Sequence, residues 1–208
     1  MHTLIFLNGD PPSRKVINNY FKESNYIIAA DGGADYLKTE NIIPDLIIGD
    51  LDSVKKRTLA FFKNRSLIKK VRDQNTTDFE KSLFFCLKEK KDNIIVFGFS
   101  GDRADHTLNN FSILKRYYKK FNIRLISDEF EIFFIDKKII FPYRKNETVS
   151  LLGLPKASKI NSKGLKYRLK DTDLEFGVRE GALNESTSSK VSIEFKSGYL
   201  LLFKKHFL

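Results

Sequence analysis

Cysteine is almost missing from this chain: Cys86 stands alone among 208 residues. An internal disulfide is therefore excluded, and a thiolate-held metal has no ligand set. Flanked by Phe85 and Leu87 inside an apolar pattern of helical spacing, Cys86 reads as core filler. Long apolar runs are missing too, none approaching the ~20 residues that a membrane helix requires. The opening MHTLIFLNGD carries neither a basic lead nor a small-residue cleavage site. The expectation is a cytoplasmic protein with no membrane partner. Also absent are a Walker loop and a kinase glycine loop, the commonest designs for holding ATP. Neither a fixed-length repeat nor a low-complexity linker interrupts the chain.

What is present in excess is positive charge, a formal +11 at pH 7. Clustered Lys and Arg would point to nucleic acid, because they neutralise phosphates and release counterions. Here the pairs Lys55-Lys56, Lys69-Lys70, Lys119-Lys120 and Lys137-Lys138 are scattered over the ends of elements. There is no arginine-rich helix and no aromatic RNA-binding signature. The expectation is no nucleic-acid partner and a solvated basic background that attracts anionic substrates.

Hydrophobic periodicity divides the chain. Up to about residue 128, short β-branched runs alternate with helical patterns. The runs are 4–7, 26–30, 46–49, 67–71, 94–99 and 123–126; the patterns include Phe79, Leu83, Cys86 and Leu87, then Leu108, Phe111, Leu114 and Tyr118. This rhythm predicts an α/β domain over 1–128, with a mostly parallel, Rossmann-like sheet and helices on both faces. Over 129–208 the pattern changes to strands at 130–135, 138–141, 148–152, 164–169, 191–195 and 199–203, bounded by turn residues. That half is expected to be an all-β sandwich abutting the first.

In parallel α/β sheets, ligands bind beyond the carboxyl ends of the strands. The chemically loaded residues fall there. After 26–30 come Asp31, Gly32 and Gly33, whose glycines either let backbone approach a ligand or simply make a tight turn. After 46–49 come Asp50 and Asp52, two apart and on one side if strand geometry continues. Two carboxylates about 5 Å apart repel by on the order of 3 kcal/mol at an effective dielectric of about 20. Magnesium would offset this; a solvated acidic loop or a helix cap is the plain alternative. Thr77 and Glu80 form a capping-box pattern that places Asp78 in the first helical turn, with Lys81 beside it. The last cluster, 100–106, offers Arg103 as a phosphate fork, Asp105 as an N-cap, and His106 as a structural or positioning residue. Acidic loops with an Arg and a Lys, and no nucleophilic Ser or Cys arrangement, point to metal-assisted phosphoryl transfer.

The motifs ADGGAD at 30–35, PDLIIGDLDS at 44–53, DQNTTDFEKSL at 73–83 and GDRADHTLNN at 101–110, in that order, resemble the thiamine pyrophosphokinase family. The resemblance extends to NSKGLKYRL at 161–169 and FGVREGALNES at 176–186. It implies an α/β catalytic domain that binds ATP and magnesium, followed by a β-sandwich that binds thiamine and forms a homodimer. It further implies magnesium held by Asp50, Asp52 and Asp78, and phosphate or nucleotide contacts from Gln74, Thr77, Lys81 and Arg103. Asp31, Gly32, Gly33 and Asp105 would line the same cleft, and Ser162, Tyr167 and Asn184 would serve thiamine. The expected reaction is in-line transfer of the ATP diphosphoryl group to the thiamine hydroxyl, with AMP leaving. Rival readings are another nucleotide-dependent transferase on this scaffold, or a binding module without turnover. The chain departs from the family pattern at Leu183-Asn184, where Ser-Asn is usual. Either a hydroxyl contact is lost there or Ser186 supplies it. Which of Ser162 and Lys163 takes the place of the family's small hydroxyl residue is open.

Overall fold

Short apolar runs become strands wherever both of their faces can be covered. β1 (His2–Phe6) is buried at every position after its first, the signature of a parallel strand between two helical layers. It is followed by α1 (Arg14–Phe21), β2 (Ser24–Ala30), α2 (Gly33–Thr39), β3 (Leu46–Gly49), α3 (Lys56–Phe62), β4 (Leu67–Lys70), α4 (Asp78–Lys88), β5 (Asn93–Phe97), α5 (Ala104–Tyr117) and β6 (Asn122–Ile126). The structure is a computed structural model and describes residues 1–207. Its contacts separate into two units, Met1–Asp128 and Glu129–Phe207.

In the first unit the strands lie in the order β4-β3-β2-β1-β5-β6, and every adjacent pair is parallel. Alternation divides the side chains between two faces. Leu4, Phe6, Ala29, Ile47, Ile95 and Phe97 form one core with Val16 and Ile17 of α1, Leu37 of α2 and Phe62 of α3. The intervening residues Ile5, Ile28, Ile48 and Val96 are equally buried. On that side α4 packs on β2 and β3 and meets α5. β4, at the end of the order, exposes Leu67 and carries Lys69 and Lys70, charges suited to an unpaired edge.

Strand order decides where a ligand can enter. The chain runs from β1 outward to β4, then returns to place β5 on the other side of β1. The helices that follow β1 and β5 therefore lie on opposite faces of the sheet, and a crevice opens beside this reversal at the carboxyl ends of the strands.

The second unit contains β7 (Phe130–Ile135), β8 (Lys138–Pro142), β9 (Thr148–Lys163), β10 (Thr172–Glu175), β11 (Gly181–Glu185), β12 (Lys190–Glu194) and β13 (Ser197–Lys205). All pairings here are antiparallel, in the order β7-β13-β9-β12-β8 with β10 and β11 also on β9. Over the chain as a whole the pairing is thus mixed, and the expected mostly parallel character is confined to the first unit. The 16-residue β9 passes from one ladder to the other around a core that includes Val149, Leu151, Ile160, Leu174, Ile193 and Leu202.

Two local expectations are corrected, and two strands were not foreseen. The run 164–169 is not a strand: its backbone turns, with Leu169 N–H donating to Ser162 Oγ at 2.9 Å. β10 and β11 pass unnoticed in the sequence because TDLE and GALNE lack β-branched alternation. On α5 the buried face is Ile113, Leu114 and Tyr117, whereas Leu108 is exposed, so the apolar stripe is shorter than its spacing indicated.

Candidate active site

A cleft of about 590 Å³ occupies the crevice, lined by the carboxyl ends of β1, β2, β3 and β5 and by the first turns of α4 and α5. At its floor Asp31, Asp50 and Asp78 each offer a carboxylate oxygen, all within 4.8 Å of one another. Each is aimed by a local device. Asp31 ends β2 with φ 44°, a left-handed conformation that Asp tolerates better than most residues, and its amide donates to the Ile48 carbonyl at 2.9 Å. Its Oδ2 accepts from the Ser53 amide at 3.2 Å, and its buried Oδ1 has no partner among the described residues. Burial pushes this carboxyl up to about 6; the Ser53 amide opposes the rise, and the charges of Asp78, Asp50 and Asp52 add to it.

Gly49 makes the convergence possible. A Cβ there would lie 2.8 Å from the Asp31 Cβ and 3.0 Å from Asp78 Oδ1, so any side chain would push the carboxylates apart. Asp50 lies below the ordinary carboxylate range. Burial raises it, but the Asp52 amide, contacts with the Asp52 and Gln74 side chains, and the Lys81 charge together outweigh that. Asp78 begins α4, where the capping box is complete: Thr77 Oγ1 accepts from the Glu80 amide and the Glu80 carboxylate accepts from the Thr77 amide. Lys81 Nζ donates to Asp78 Oδ1 at 2.9 Å with its side chain only 3% exposed. Glu80 also accepts from Arg116 and from Tyr117, which ties this turn to α5.

One ammonium against three carboxylates leaves the floor with an excess of negative charge. Each carboxylate pair repels by on the order of 3 kcal/mol at an effective dielectric of about 20. A divalent cation with a preference for hard oxygen ligands fits both the donor set and the unpartnered Asp31 oxygen.

The expected trio of Asp50, Asp52 and Asp78 is therefore altered. Asp31 stands in the group, while Asp52 lies outside it with Oδ1 accepting from Ser53 Oγ at 3.0 Å. The reason is backbone: Leu51 has φ 64°, so strand alternation ends at Gly49 and the i, i+2 argument fails. Asp52 reaches Asp50 through its amide, 3.2 Å from Oδ1. Gly32 and Gly33 pack closely against the end of β1: a Cβ on Gly32 would strike the Asn8 side chain at 2.3 Å and one on Gly33 the Phe6 carbonyl at 2.1 Å. They allow α2 to start against the end of β1. Asp105 does not cap α5, which begins one residue before it; its carboxylate grips Arg103 with two hydrogen bonds of 2.9 and 2.6 Å. That pairing holds Asp105 well below the usual carboxylate range and raises Arg103.

Thr77, Lys81, Arg103 and His106 line the cleft, as do residues that sequence reasoning passed over: Asn8, Gly9, Asp10, Gly98 and Asn110. The NGD triplet directly after the first apolar run was the available signal, because it places turn residues at a strand's carboxyl end.

The remaining predicted residues belong to the second unit. Ser162 is buried, its hydroxyl occupied by the Leu169 amide, while its neighbour Lys163 is exposed. Asn184, also buried, accepts from the Tyr167 amide at 3.0 Å and donates to the Tyr167 carbonyl at 2.8 Å, and Tyr167 itself is 64% exposed. Leu183 is exposed at φ 55°. Ser186 cannot supply the hydroxyl missing at position 183: it is fully buried, donating to the Arg144 carbonyl and accepting from the Glu147 amide.

Comparison with known proteins bears on both units. Residues 17–126 match the family model of the thiamin pyrophosphokinase catalytic domain, and residues 137–200 match that of the thiamin pyrophosphokinase vitamin B1 binding domain. Thiamin pyrophosphokinase 1 of Caenorhabditis elegans is 28% identical, covering 94% of this chain and 86% of its own length. The thiamine pyrophosphokinase of Bacillus subtilis strain 168 is 26% identical, covering 98% and 99%. A crystal structure of thiamine pyrophosphokinase from Bacillus subtilis has a TM-score of 0.86 at 24% identity over the whole of both chains, a likeness of fold.

Proposed function

This chain belongs to the thiamin pyrophosphokinase family, and from that premise we infer that it transfers the diphosphoryl group of ATP to the hydroxyl of thiamine, giving thiamine diphosphate and AMP. The observation that carries the assignment of the site is the unpartnered, buried oxygen of Asp31 inside the three-carboxylate group. An oxygen so placed costs stability unless something binds it.

Asp31, Asp50 and Asp78 would hold magnesium. Bound there, magnesium supplies the positive charge that shields the ATP phosphates and stabilises negative charge developing on them. Lys81 donates to Asp78 Oδ1 and so aims that carboxylate at the group, while the Asp52 amide and the Gln74 side chain hold Asp50 below the ordinary carboxylate range. Arg103, at the cleft mouth and oriented by Asp105, offers its guanidinium to phosphate oxygens. In the transfer, the thiamine hydroxyl oxygen forms a bond to the β-phosphorus. The bond from that phosphorus to the αβ-bridging oxygen breaks, and AMP departs with the bridging oxygen. The hydroxyl proton passes to solvent water as the new bond forms, since a loose transition state asks for little base strength.

Thiamine recognition falls to the second unit, supported by the vitamin B1 domain match across 137–200. The exposed Tyr167 ring, clamped by Asn184, suits a cationic thiazolium. The active assembly in this reading is a cytoplasmic homodimer.

The test is incubation with ATP, thiamine and magnesium, followed by separation of the nucleotides. AMP and thiamine diphosphate should appear in equal amounts, and Asp78→Asn should lower turnover by 100-fold or more, about the loss of one key transition-state contact. ADP as the nucleotide product, or ATP consumption that ignores thiamine, would reject the reading.

A further inference from the structure

Asn110 lies inside α5, in a helical interior where Ala, Leu or Lys would be favoured over Asn. Its side chain explains the choice. Nδ2 donates to the Phe99 carbonyl at 2.7 Å, eleven residues back, on the loop joining β5 to α5. The ring of Phe99 is held by the next residue of the same helix, meeting Phe111 edge-on with centroids 5.9 Å apart. Both polar and apolar parts of Phe99 are thus fixed from α5.

The other side of that loop is fastened to the end of β1. Gly9 N–H donates to the Gly98 carbonyl at 2.9 Å and Asp10 N–H to the Ser100 carbonyl at 2.7 Å, continuing the ladder between β1 and β5 beyond the strands. The approach is so close that a Cβ on Gly9 would lie 2.2 Å from the Ser100 oxygen. The switch-point wall of the cleft is therefore two loops hydrogen-bonded to each other and anchored by one side-chain amide. Asn110 itself lines the cleft.

We propose that Asn110 is a positioning residue for the nucleotide: through the Phe99 carbonyl it holds the 98–101 loop, and with it the 8–10 loop, in the shape that receives ATP. The proposal rests on the functional reading above. It concerns the wall of the cleft and leaves the carboxylate floor untouched, so its signature is a selective loss of nucleotide affinity.

Asn110→Ala should raise the ATP KM about tenfold, the worth of one well-placed, partly buried hydrogen bond. The thiamine KM should be unchanged and kcat should stay within threefold. Asn110→Gln, which retains an amide donor, should recover part of the loss. In protein free of ATP and magnesium, hydrogen exchange in peptides spanning 8–10 and 98–101 should quicken in Asn110→Ala while the sheet core stays protected. A melting temperature lowered by more than about 5 °C, with kcat and both KM values moving together, would mean a merely structural residue and overturn the proposal. An unchanged ATP KM with unchanged exchange would overturn it as well. If the wild type makes no AMP from ATP and thiamine, the functional reading falls, and the exchange experiment alone still decides whether Asn110 holds the loops.

Discussion

At Asp31, burial and neighbouring charge raise the carboxyl to about 6, the opposite of the usual salt-bridged aspartate. Between about pH 4, the unfolded value, and pH 6 the ion-free folded state holds more protons than the unfolded state. Stability from this group is therefore present below pH 4 and lost as pH rises through 6. Asp31→Asn removes that loss, and the variant should gain on the wild type across this window by on the order of 3 kcal/mol, without the ion. Paired thermal melts at pH 4, 5, 6 and 7 in chelator measure the difference; a gap that does not widen with pH refutes the account. Magnesium should raise the wild-type melting temperature at pH 7 and fail to raise that of Asp31→Asn. Cys86 gives the complementary case. Burial lifts its thiol to about 12, which leaves it inert and agrees with its reading as core filler.

The element that sequence described best is α4. Thr77, Glu80 and the spacing of Phe79, Leu83, Cys86 and Leu87 announced a capped amphipathic helix; the cap is complete and Phe79, Leu83 and Cys86 are buried, while Leu87 is exposed. Local hydrogen bonding decides such a start, so local sequence is sufficient. Thr77→Ala should cost about 1 kcal/mol in urea unfolding, the usual worth of an N-cap, with little change in the m-value. α5 was less legible. Leu108 repeats at helical spacing yet is exposed, and Asp105, a good cap by residue type, is instead engaged by Arg103. Periodicity reports what a face can bury, whereas the neighbours of that face decide how far burial extends. The same limit applies after β3, where Leu51 is left-handed and Asp52 stays outside the three-carboxylate group.

For the whole molecule, each unit carries a separable part of the proposed reaction. Tyr167→Ala should raise the thiamine KM by about 2- to 30-fold, the range of a cation–π contact, and leave the ATP KM unchanged. Steady-state kinetics with each substrate varied in turn would show it, and an equal rise in both would deny the ring a thiamine-specific role. Sequence alone determined that an α/β half precedes an all-β half, that acidic residues gather at strand ends, and that Thr77 caps α4, because periodicity, turn chemistry and capping act over a few neighbouring residues. Only the tertiary structure decided that Asp31 joins Asp50 and Asp78 while Asp52 does not, and that the loops after β1 and β5 form one wall held by Asn110. Those outcomes depend on which strands become neighbours and how closely their ends approach, and contacts across tens of residues leave no period in the chain.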